Sequence, residues 1–361
     1  MKRFCLALSM FFISLAATVA LPRDRLADYP PVEPGHALRF PADHGAHPDF
    51  RTEWWYVTGW LQTPAGSPLG FQVTFFRSRP RFAPGNPSRF APKELLFAHV
   101  AISDPALGRL QHDQRVARAG FGLAQALAGN TDVHIGPWSL KRNPAGVYHA
   151  AIQARDFTFE LTLRPTESLL LEGDDGYSRK GPLPLQASYY YSQPQLAVSG
   201  TLVRGGQRQT VQGTAWLDHE WSSAALAEQA VGWDWVGVNL ADGGALMAFQ
   251  IRDKTGRKFW AGGMLRRGDG SQAHLPSSAI AFTPLRHWRS PRTATDYPVS
   301  MRVEAGGHTL ELMPLMDDQE LDSRASTGAI YWEGAVTALE GGQSVGRGYL
   351  ELTGYSQRLN F

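Results

Sequence analysis

The sequence predicts an all-β protein, and three observations lead to that prediction. Glycine and proline are frequent, with 37 Gly and 24 Pro in 361 residues, which indicates many turns yet stays below the roughly 25–30% typical of low-complexity chains. Aromatic residues are also frequent, with 11 Trp, 11 Tyr and 18 Phe. Short apolar and aromatic runs recur between Gly- and Pro-containing turns, as expected for antiparallel strands.

The first twenty residues predict a signal peptide. Lys2 and Arg3 form a basic start, an apolar run follows from 4 to 19, and the small residue Ala20 suits cleavage. The run is short for a transmembrane helix; a membrane-anchored N-terminus is the alternative. Cys5 is the single cysteine, so a chain cleaved near Ala20 contains no thiol, which suits an oxidising compartment. We therefore expect residues 1–20 to be removed and the mature protein to be periplasmic or secreted.

The strands can be placed by their aromatic and apolar runs. An aromatic strand is predicted at 53–61, its hairpin partner at 70–77 and a third strand at 95–103. Further short strands are predicted at 139–140, 148–154 and 157–163. Two short helical pieces are predicted, at 121–128 and at 224–231, the second capped by Ser222 or Ser223.

The second half of the chain repeats the order of the first. The runs 54–57 and 71–77 are echoed by 233–236 and 246–252, each pair ending in a strand with Phe, Gln and a closing Arg. The runs 189–191 and 213–217 are echoed by 331–334 and 348–352. This order indicates a duplicated β unit, and each copy has enough strands to close into a barrel. We predict a Pro-rich lead-in at 21–43, an N-terminal barrel at 44–222 and a C-terminal barrel at 223–361.

The strongest functional signal is the segment 213–221, Gly-Thr-Ala-Trp-Leu-Asp-His-Glu-Trp. It places Asp218, His219 and Glu220 side by side between tryptophans, and aromatic surroundings shift the pKa of acid/base groups. In a strand, Trp216, Asp218 and Glu220 would share one face, with Leu217, His219 and Trp221 on the other. The two carboxylates would lie roughly 6.6 Å apart, which leaves room for a water molecule. We predict a catalytic role for Asp218, His219 and Glu220.

The alternative for this segment is a strand end at which Asp218 and Glu220 accept hydrogen bonds from the backbone or from arginine. His99, among apolar residues of the third strand, is predicted to be a core histidine rather than a catalytic base. The loop Gly173-Asp174-Asp175-Gly176 is predicted to be a tight turn rather than a calcium site.

A second group of candidate ligands lies before the first strand. His44, His47, Asp49 and Glu53 have the chemistry to bind a metal, but their spacing matches no recognised zinc pattern. We expect no metal and no other cofactor. Instead, we expect Glu53 to pair with an arginine across the domain junction.

Four separated runs, 47–60, 217–223, 331–336 and 348–355, resemble the AttH-like family of exported proteins, which is related to carotenoid 1,2-hydratase. The resemblance covers nearly the whole mature chain and implies two tandem lipocalin-like barrels. Members are often labelled predicted secreted hydrolases. Ser222 and Ser223 lack the Gly-x-Ser-x-Gly setting, so the residues give no support for serine-hydrolase chemistry.

The resemblance to carotenoid hydratase also implies a mechanism. An acid protonates a trisubstituted alkene, aromatic faces shield the tertiary carbocation, and water captures it. Asp218 would be the acid, and Glu220 or His219 would handle the water. The expected ligand-binding residues are Glu53, Trp54, Trp55, Tyr56, Tyr190, Trp216, Trp221, Trp233 and Trp235.

Two functional hypotheses remain open at this point. The first is a cofactor-free hydratase or lyase acting on an elongated apolar ligand, an isoprenoid or a lipid. The second is a periplasmic carrier of such a ligand that works with an ABC-type exporter permease. The charge balance of 35 basic and 33 acidic residues argues against a nucleic-acid partner, and we do not expect an integral membrane protein.

Overall fold

The computed structural model describes residues 29–80, 88, 91–224 and 226–359. The predicted signal peptide and the first part of the Pro-rich lead-in lie outside these residues. The described part of the chain forms two antiparallel sheets and two single-turn 3-10 helices, η1 (Ala42–His44) and η2 (Ser277–Ala279). The prediction of an all-β fold is confirmed. Neither helix is long enough to cross a membrane, and none of the described residues forms one that is.

The first sheet lies between residues 52 and 222. Its path runs β4-β3-β2-β1-β13-β12-β9-β8-β7-β6-β5, with β10 and β11 paired to β12. Its strands are β1 (Thr52–Gln62), β2 (Pro68–Ser78), β3 (Leu95–Ser103), β4 (Gln111–Arg118), β5 (Ala124–Ala126), β6 (Asp132–Ile135), β7 (Trp138–Arg142), β8 (Tyr148–Gln153), β9 (Phe157–Pro165), β10 (Leu170–Leu171), β11 (Tyr177–Arg179), β12 (Ala187–Arg204) and β13 (Gln207–Ser222). The sheet curves so that β3 and β4, at one edge, contact β6 near the opposite edge of the same sheet. The first sheet therefore forms a nearly closed barrel.

The second sheet lies between residues 230 and 352. Its path runs β17-β16-β15-β14-β23-β22-β20-β19-β18, with β21 paired to β22. Its strands are β14 (Ala230–Leu240), β15 (Ala245–Asp253), β16 (Lys258–Arg266), β17 (Gln272–Leu275), β18 (Ile280–Arg289), β19 (Asp296–Ala305), β20 (His308–Pro314), β21 (Glu320–Ser323), β22 (Ala329–Glu340) and β23 (Gln343–Leu352). Here β15 and β16 approach β18.

The two sheets share one topology. In the first, the long hairpin β12–β13 returns so that β13 pairs with β1; in the second, β22–β23 returns so that β23 pairs with β14. The segment that holds Asp218 and the segment that holds Glu351 therefore occupy the same place in the two sheets. The repeat that the sequence indicates therefore corresponds to the same order of strand pairing in both sheets.

Both predicted helical pieces are wrong. Residues 121–128 form turns and the short strand β5, because Gly120, Phe121 and Gly122 adopt positive φ angles of 95°, 56° and 72°, which a right-handed helix excludes. In the second piece, β13 runs to Ser222 and β14 begins at Ala230. The described residues between them form bends and turns.

Alternation along the strands divides the buried side chains into three main groups. Each barrel has its own apolar interior. A third cluster lies between the barrels, where the outward faces of β1, β12 and β13 pack against those of β14, β15 and β23. Its large aromatic members are Tyr56, Trp60, Tyr190, Trp216, Trp235, Phe249 and Tyr349. We call this third cluster the junction.

Candidate active site at the barrel junction

The side chains of the central segment alternate across β13 as the sequence predicts. Asp218 and Glu220 face the junction, where Asp218 is hydrogen bonded to Tyr190. His219 and Trp221 face the interior of the first barrel, where His219 is hydrogen bonded to Glu53. The three residues predicted to be catalytic are therefore divided between two separate surroundings.

Asp218 is held at the junction by three hydrogen-bond donors. Its Oδ1 accepts from Ser192 Oγ at 2.6 Å and from Trp216 Nε1 at 2.6 Å, and its Oδ2 accepts from Tyr190 Oη at 2.8 Å. Trp235 of the second sheet donates to the same tyrosine oxygen at 3.1 Å. The side chain of Asp218 is 3% exposed. This burial raises its pKa to about 7, against the effect of the three hydrogen bonds, which lower the pKa.

Glu172 shares the hydroxyl of Ser192 with Asp218. Ser192 Oγ lies 2.8 Å from Glu172 Oε1 and 2.6 Å from Asp218 Oδ1, but a hydroxyl has only one hydrogen to donate. When Ser192 donates to Asp218, a proton on Glu172 is needed to complete the second bond. Burial, followed by the charge of Asp218, raises the pKa of Glu172 well above its ordinary value. The chain Glu172–Ser192–Asp218 is thus suited to holding a proton at neutral pH.

Glu220 has a different environment although it shares the face. It accepts a hydrogen bond from Ser188 and forms an ion pair with Lys180 at 3.0 Å. The Lys180 ammonium also lies over the rings of Tyr190, at 4.7 Å, and Phe249, at 4.3 Å, a favourable cation–π arrangement. Glu220 is thus a hydrogen-bond and ion-pair acceptor, but its partners are serine and lysine side chains and not the backbone or arginine of the alternative interpretation.

The second sheet contributes two more carboxyl groups to the junction. Glu333 and Glu351 are directly opposite each other on β22 and β23. Burial and the neighbouring carboxylate raise the pKa of Glu333 well above its ordinary value. Burial, with the charges of Asp218 and Glu220, raises the pKa of Glu351 to about 8. Burial, with the charge of Glu333, raises the pKa of Tyr56 well above its ordinary value, and the Tyr56 hydroxyl in turn acts to lower the pKa of Glu333.

His99 joins the two sheets. Its Nδ1 lies 2.5 Å from Tyr331 Oη and its Nε2 lies 2.9 Å from Ser326 Oγ, both in the second half of the chain. Burial lowers its pKa to about 3. Both ring nitrogens are occupied, so His99 is a structural histidine that bonds the first sheet to the second beside a separate apolar cluster that includes Tyr331.

The first barrel encloses a second polar cluster around Glu53. Its Oε1 lies 2.7 Å from His47 Nδ1 and 2.8 Å from His219 Nε2. Its Oε2 accepts from Arg77 Nε at 2.8 Å. The expectation that Glu53 pairs with an arginine across the junction is wrong, because Arg77 lies directly opposite it on the adjacent strand β2 of the same sheet.

The predicted ligand-binding residues also separate into these two groups. Trp54, Tyr56, Tyr190, Trp216, Trp233 and Trp235 lie in or against the junction. Glu53, Trp55 and Trp221 lie inside the first barrel, where Trp55 stacks on His219 with ring centroids 4.6 Å apart. Only the first group can contact a ligand that reaches Asp218 from the junction.

A cavity of about 460 Å³ opens between the two sheets, and the groups that bond to Asp218 are not among its lining residues. It is lined by β11 and the turn before it on one side and by β16 and β17 on the other, including Gly173, Tyr177, Arg179, Trp260, Gly262 and His274. Gly173 directly follows Glu172, and Arg179 directly precedes Lys180. The volume lies within the range of small-molecule sites, roughly 300–1,000 Å³.

Comparison with known proteins identifies the protein family of this chain. The sequence pattern of the AttH-like family matches residues 31–355, which is most of the chain. The chain belongs to the AttH-like family. A crystal structure described as AttH from Nitrosomonas europaea is similar to this AttH-like protein, with 57% identity and a TM-score of 0.86 over 90% of this chain and 99% of that one.

Two more distant structures share the fold of this AttH-like protein. Kievitone hydratase from Nectria haematococca is 16% identical with a TM-score of 0.67, over 92% of this chain and 98% of that one. CghA with Sch210972 is 13% identical with a TM-score of 0.54, over 93% and 98%. No curated protein gives a significant sequence match to this chain.

Several residues at the junction of the AttH-like protein were not predicted from the sequence to be functional. Glu172, Ser192 and Lys180 were not singled out, and Glu333 was noted only as part of a repeated strand. A carboxylate after the run Leu169-Leu170-Leu171, ahead of a tight turn, was the available signal for Glu172. Nothing local indicates that it meets Ser192, because that contact depends on the pairing of β10 with β12.

Proposed function

We propose that this AttH-like protein is a hydratase-type lyase that adds water across an alkene of an apolar substrate at the barrel junction. The observation that carries the proposal is the hydroxyl of Ser192, which bridges Asp218 and Glu172 with a single hydrogen. A buried carboxyl pair that retains a proton is what acid catalysis on an alkene requires. One structural relative, kievitone hydratase, is named for this reaction class.

The proposed reaction needs only a proton and water. Asp218 transfers its proton to one alkene carbon, and the π electron pair forms the new C–H bond, which leaves a tertiary carbocation on the other carbon. A water oxygen then bonds to that carbon, and the proton lost by this water returns to a junction carboxylate. The sum is alkene plus water to tertiary alcohol, without oxidation or a cofactor. That junction carboxylate is Asp218, which ends the cycle protonated as it began, and Ser192 and Glu172 hold the proton in place for the next turnover.

The junction aromatics would stabilise the cation. Tyr56, Trp216 and Trp235 lie in the same cluster, and a cation over a desolvated indole is favoured by roughly 1–2 kcal/mol. His219 faces the first barrel and Glu220 is paired with Lys180. The raised pKa of Glu351 keeps that group mostly protonated at pH 7, so we assign the acceptance of the proton from water to the Asp218 carboxylate that the first step leaves. The substrate would be an elongated apolar molecule, an isoprenoid or a lipid, entering through the cavity at Trp260. We place this activity in the periplasm or outside the cell, after removal of residues 1–20.

A carrier without chemistry is the second candidate, and one observation favours it. All three hydrogen bonds to Asp218 come from protein groups, so the carboxyl is already well satisfied before any substrate arrives. In this case the ligand would occupy the cavity between the sheets and would be passed to or from an ABC-type permease.

Labelled water separates the two candidates. The mature protein is incubated with squalene, a linear polyene with trisubstituted alkenes, in H₂¹⁸O, and the extract is analysed by mass spectrometry. A hydratase gives a product heavier by one labelled water, and Asp218→Asn abolishes it while Glu304→Gln, a change at an exposed carboxylate, does not. Retention of squalene without label in any variant would favour the carrier. Equal labelling by wild type and Asp218→Asn would overturn the assignment of the acid.

A further inference from the structure

We propose that Glu53, His47 and His219 form a binding site for one divalent transition-metal ion of the zinc class. The site lies inside the first barrel, on the face of β13 opposite the junction, and is independent of the proposed hydration. His47 Nδ1, His219 Nε2 and a carboxylate oxygen of Glu53 lie within 4.8 Å of one another. Two imidazoles and one carboxylate are a common zinc ligand set, which leaves a fourth position for water.

The two ring nitrogens are both directed at the same oxygen of Glu53. Glu53 Oε1 lies 2.7 Å from His47 Nδ1 and 2.8 Å from His219 Nε2. Binding a cation replaces these two hydrogen bonds by coordination, with loss of a proton from each nitrogen that carries one. Small outward movements of the ligand atoms then suffice to reach zinc–ligand distances of about 2.0–2.2 Å.

Each candidate ligand is also oriented by a further polar contact on the side away from the proposed ion. A metal-bound histidine usually gives its other ring nitrogen to a carboxylate or another fixed polar group, which sets its orientation. Here His47 Nε2 lies 3.3 Å from Asp43 Oδ1, and His219 Nδ1 lies 3.2 Å from Tyr191 Oη. The second oxygen of Glu53 accepts from Arg77, whose charge is shared with Glu94 at 2.9 Å. All three candidate ligands are therefore oriented through the atom that does not face the centre.

Aromatic walls fix the two imidazole rings. Trp221 stacks on His47 with ring centroids 3.7 Å apart and planes inclined by 6°, and Trp55 stacks on His219 at 4.6 Å and 22°. His219 and Glu53 are fully buried, whereas the side chain of His47 is 16% exposed, which offers an entry route. The ion would join the segment before β1, which contains His47, to β1 and β13.

Cobalt(II) provides the test, because Co²⁺ in a site of low coordination number absorbs visible light. The mature protein is freed of metal with a chelator and titrated with CoCl₂, then with ZnCl₂. We expect one Co²⁺ per chain with visible absorption, which Zn²⁺ abolishes, and a rise in the midpoint of thermal unfolding with metal. His47→Ala should remove the absorption, and Asp43→Asn should weaken Co²⁺ binding by about 10–100-fold.

His149→Ala is the matched control, because it deletes an exposed histidine of the same barrel on β8. It should bind Co²⁺ like the wild type. The proposal would be overturned if the wild type showed no visible absorption with Co²⁺. It would also be overturned if His47→Ala kept the absorption unchanged, or if His149→Ala lost it equally; either result would indicate an adventitious ion only. If His47→Ala does not fold, Asp43→Asn supplies the same comparison at a residue outside the ligand set. Failure here leaves the labelled-water result unaffected, since that experiment concerns the opposite face of β13.

Discussion

Asp218 and His219 are neighbours in sequence, but their side chains lie on opposite faces of β13 and belong to different sites. Asp218 is hydrogen bonded to Tyr190 at the junction, and His219 is hydrogen bonded to Glu53 inside the first barrel. The sequence motif looks like one catalytic group, but its side chains are divided between the two faces of one strand. Substitutions at these two positions should affect different properties.

His219→Gln should mainly lower stability. The substitution removes a ring packed between Trp55 and Trp221 and weakens a buried hydrogen bond to Glu53. We expect a loss of about 1–3 kcal/mol in the free energy of unfolding, measured by urea denaturation. Asp218→Asn should stop hydration while the protein still unfolds cooperatively. A folded His219→Gln variant without hydration, beside an active Asp218→Asn variant, would reverse our assignment of the two faces.

Glu351 should make the protein less stable in alkaline solution. The folded-state pKa is raised from 4.5 to about 8, so the folded protein binds the extra proton over this interval. Stability contributed by that proton is present at low pH and is lost as the pH rises towards 8. We expect Glu351→Gln to be more stable than the wild type at pH 9 by on the order of 1–3 kcal/mol, measured by urea denaturation from pH 5 to 9.

Glu304→Gln serves as the control for this comparison because Glu304 is exposed on β19. Its stability should follow that of the wild type at every pH. Parallel curves for Glu351→Gln and the wild type would show that Glu351 is ionised in the folded protein throughout the range.

His99 should make the protein less stable in acidic solution. Its folded-state pKa is lowered from 6.5 to about 3, so the unfolded chain binds the extra proton between these values. The folded state therefore loses stability as the pH falls below 6.5. His99→Gln, which retains hydrogen-bonding groups towards Tyr331 and Ser326, should reduce this acid loss. An unchanged acid profile of unfolding, followed by tryptophan fluorescence, would mean that His99 does not contribute to it.

The sequence predicted more of the strands than of the site. Strands such as β3, Leu95–Ser103, were placed residue for residue, because apolar runs bounded by turns are a local signal. The alternation of Asp218 and His219 follows from the period of a strand in the same way. The helix at 121–128 was wrong because two glycines flanking Phe121 set the local backbone.

Contacts between distant residues could not be predicted. Ser192 reaches Asp218 because the two are opposite each other in the β12–β13 register, just before a bulge between Gln193 and Leu196. Glu333 and Tyr56 face each other only because two sheets pack together. Register and packing are tertiary properties, so nothing near Glu172 or Glu333 in the sequence shows which residues they meet. Asp218, in contrast, is marked by its neighbours in the sequence.

Infrared spectroscopy measures directly whether the chain Glu172–Ser192–Asp218 holds a proton at neutral pH, on which the proposed hydration depends. The carbonyl stretch of a neutral carboxylic acid is separate from that of a carboxylate. We expect the wild-type protein at pH 7 to show neutral-carboxyl absorption, part of which is lost in Glu172→Gln and retained in Glu304→Gln. Spectra in which neither Glu172→Gln nor Asp218→Asn loses any neutral-carboxyl absorption would contradict the presence of that proton, and with it the proposed source of the catalytic proton.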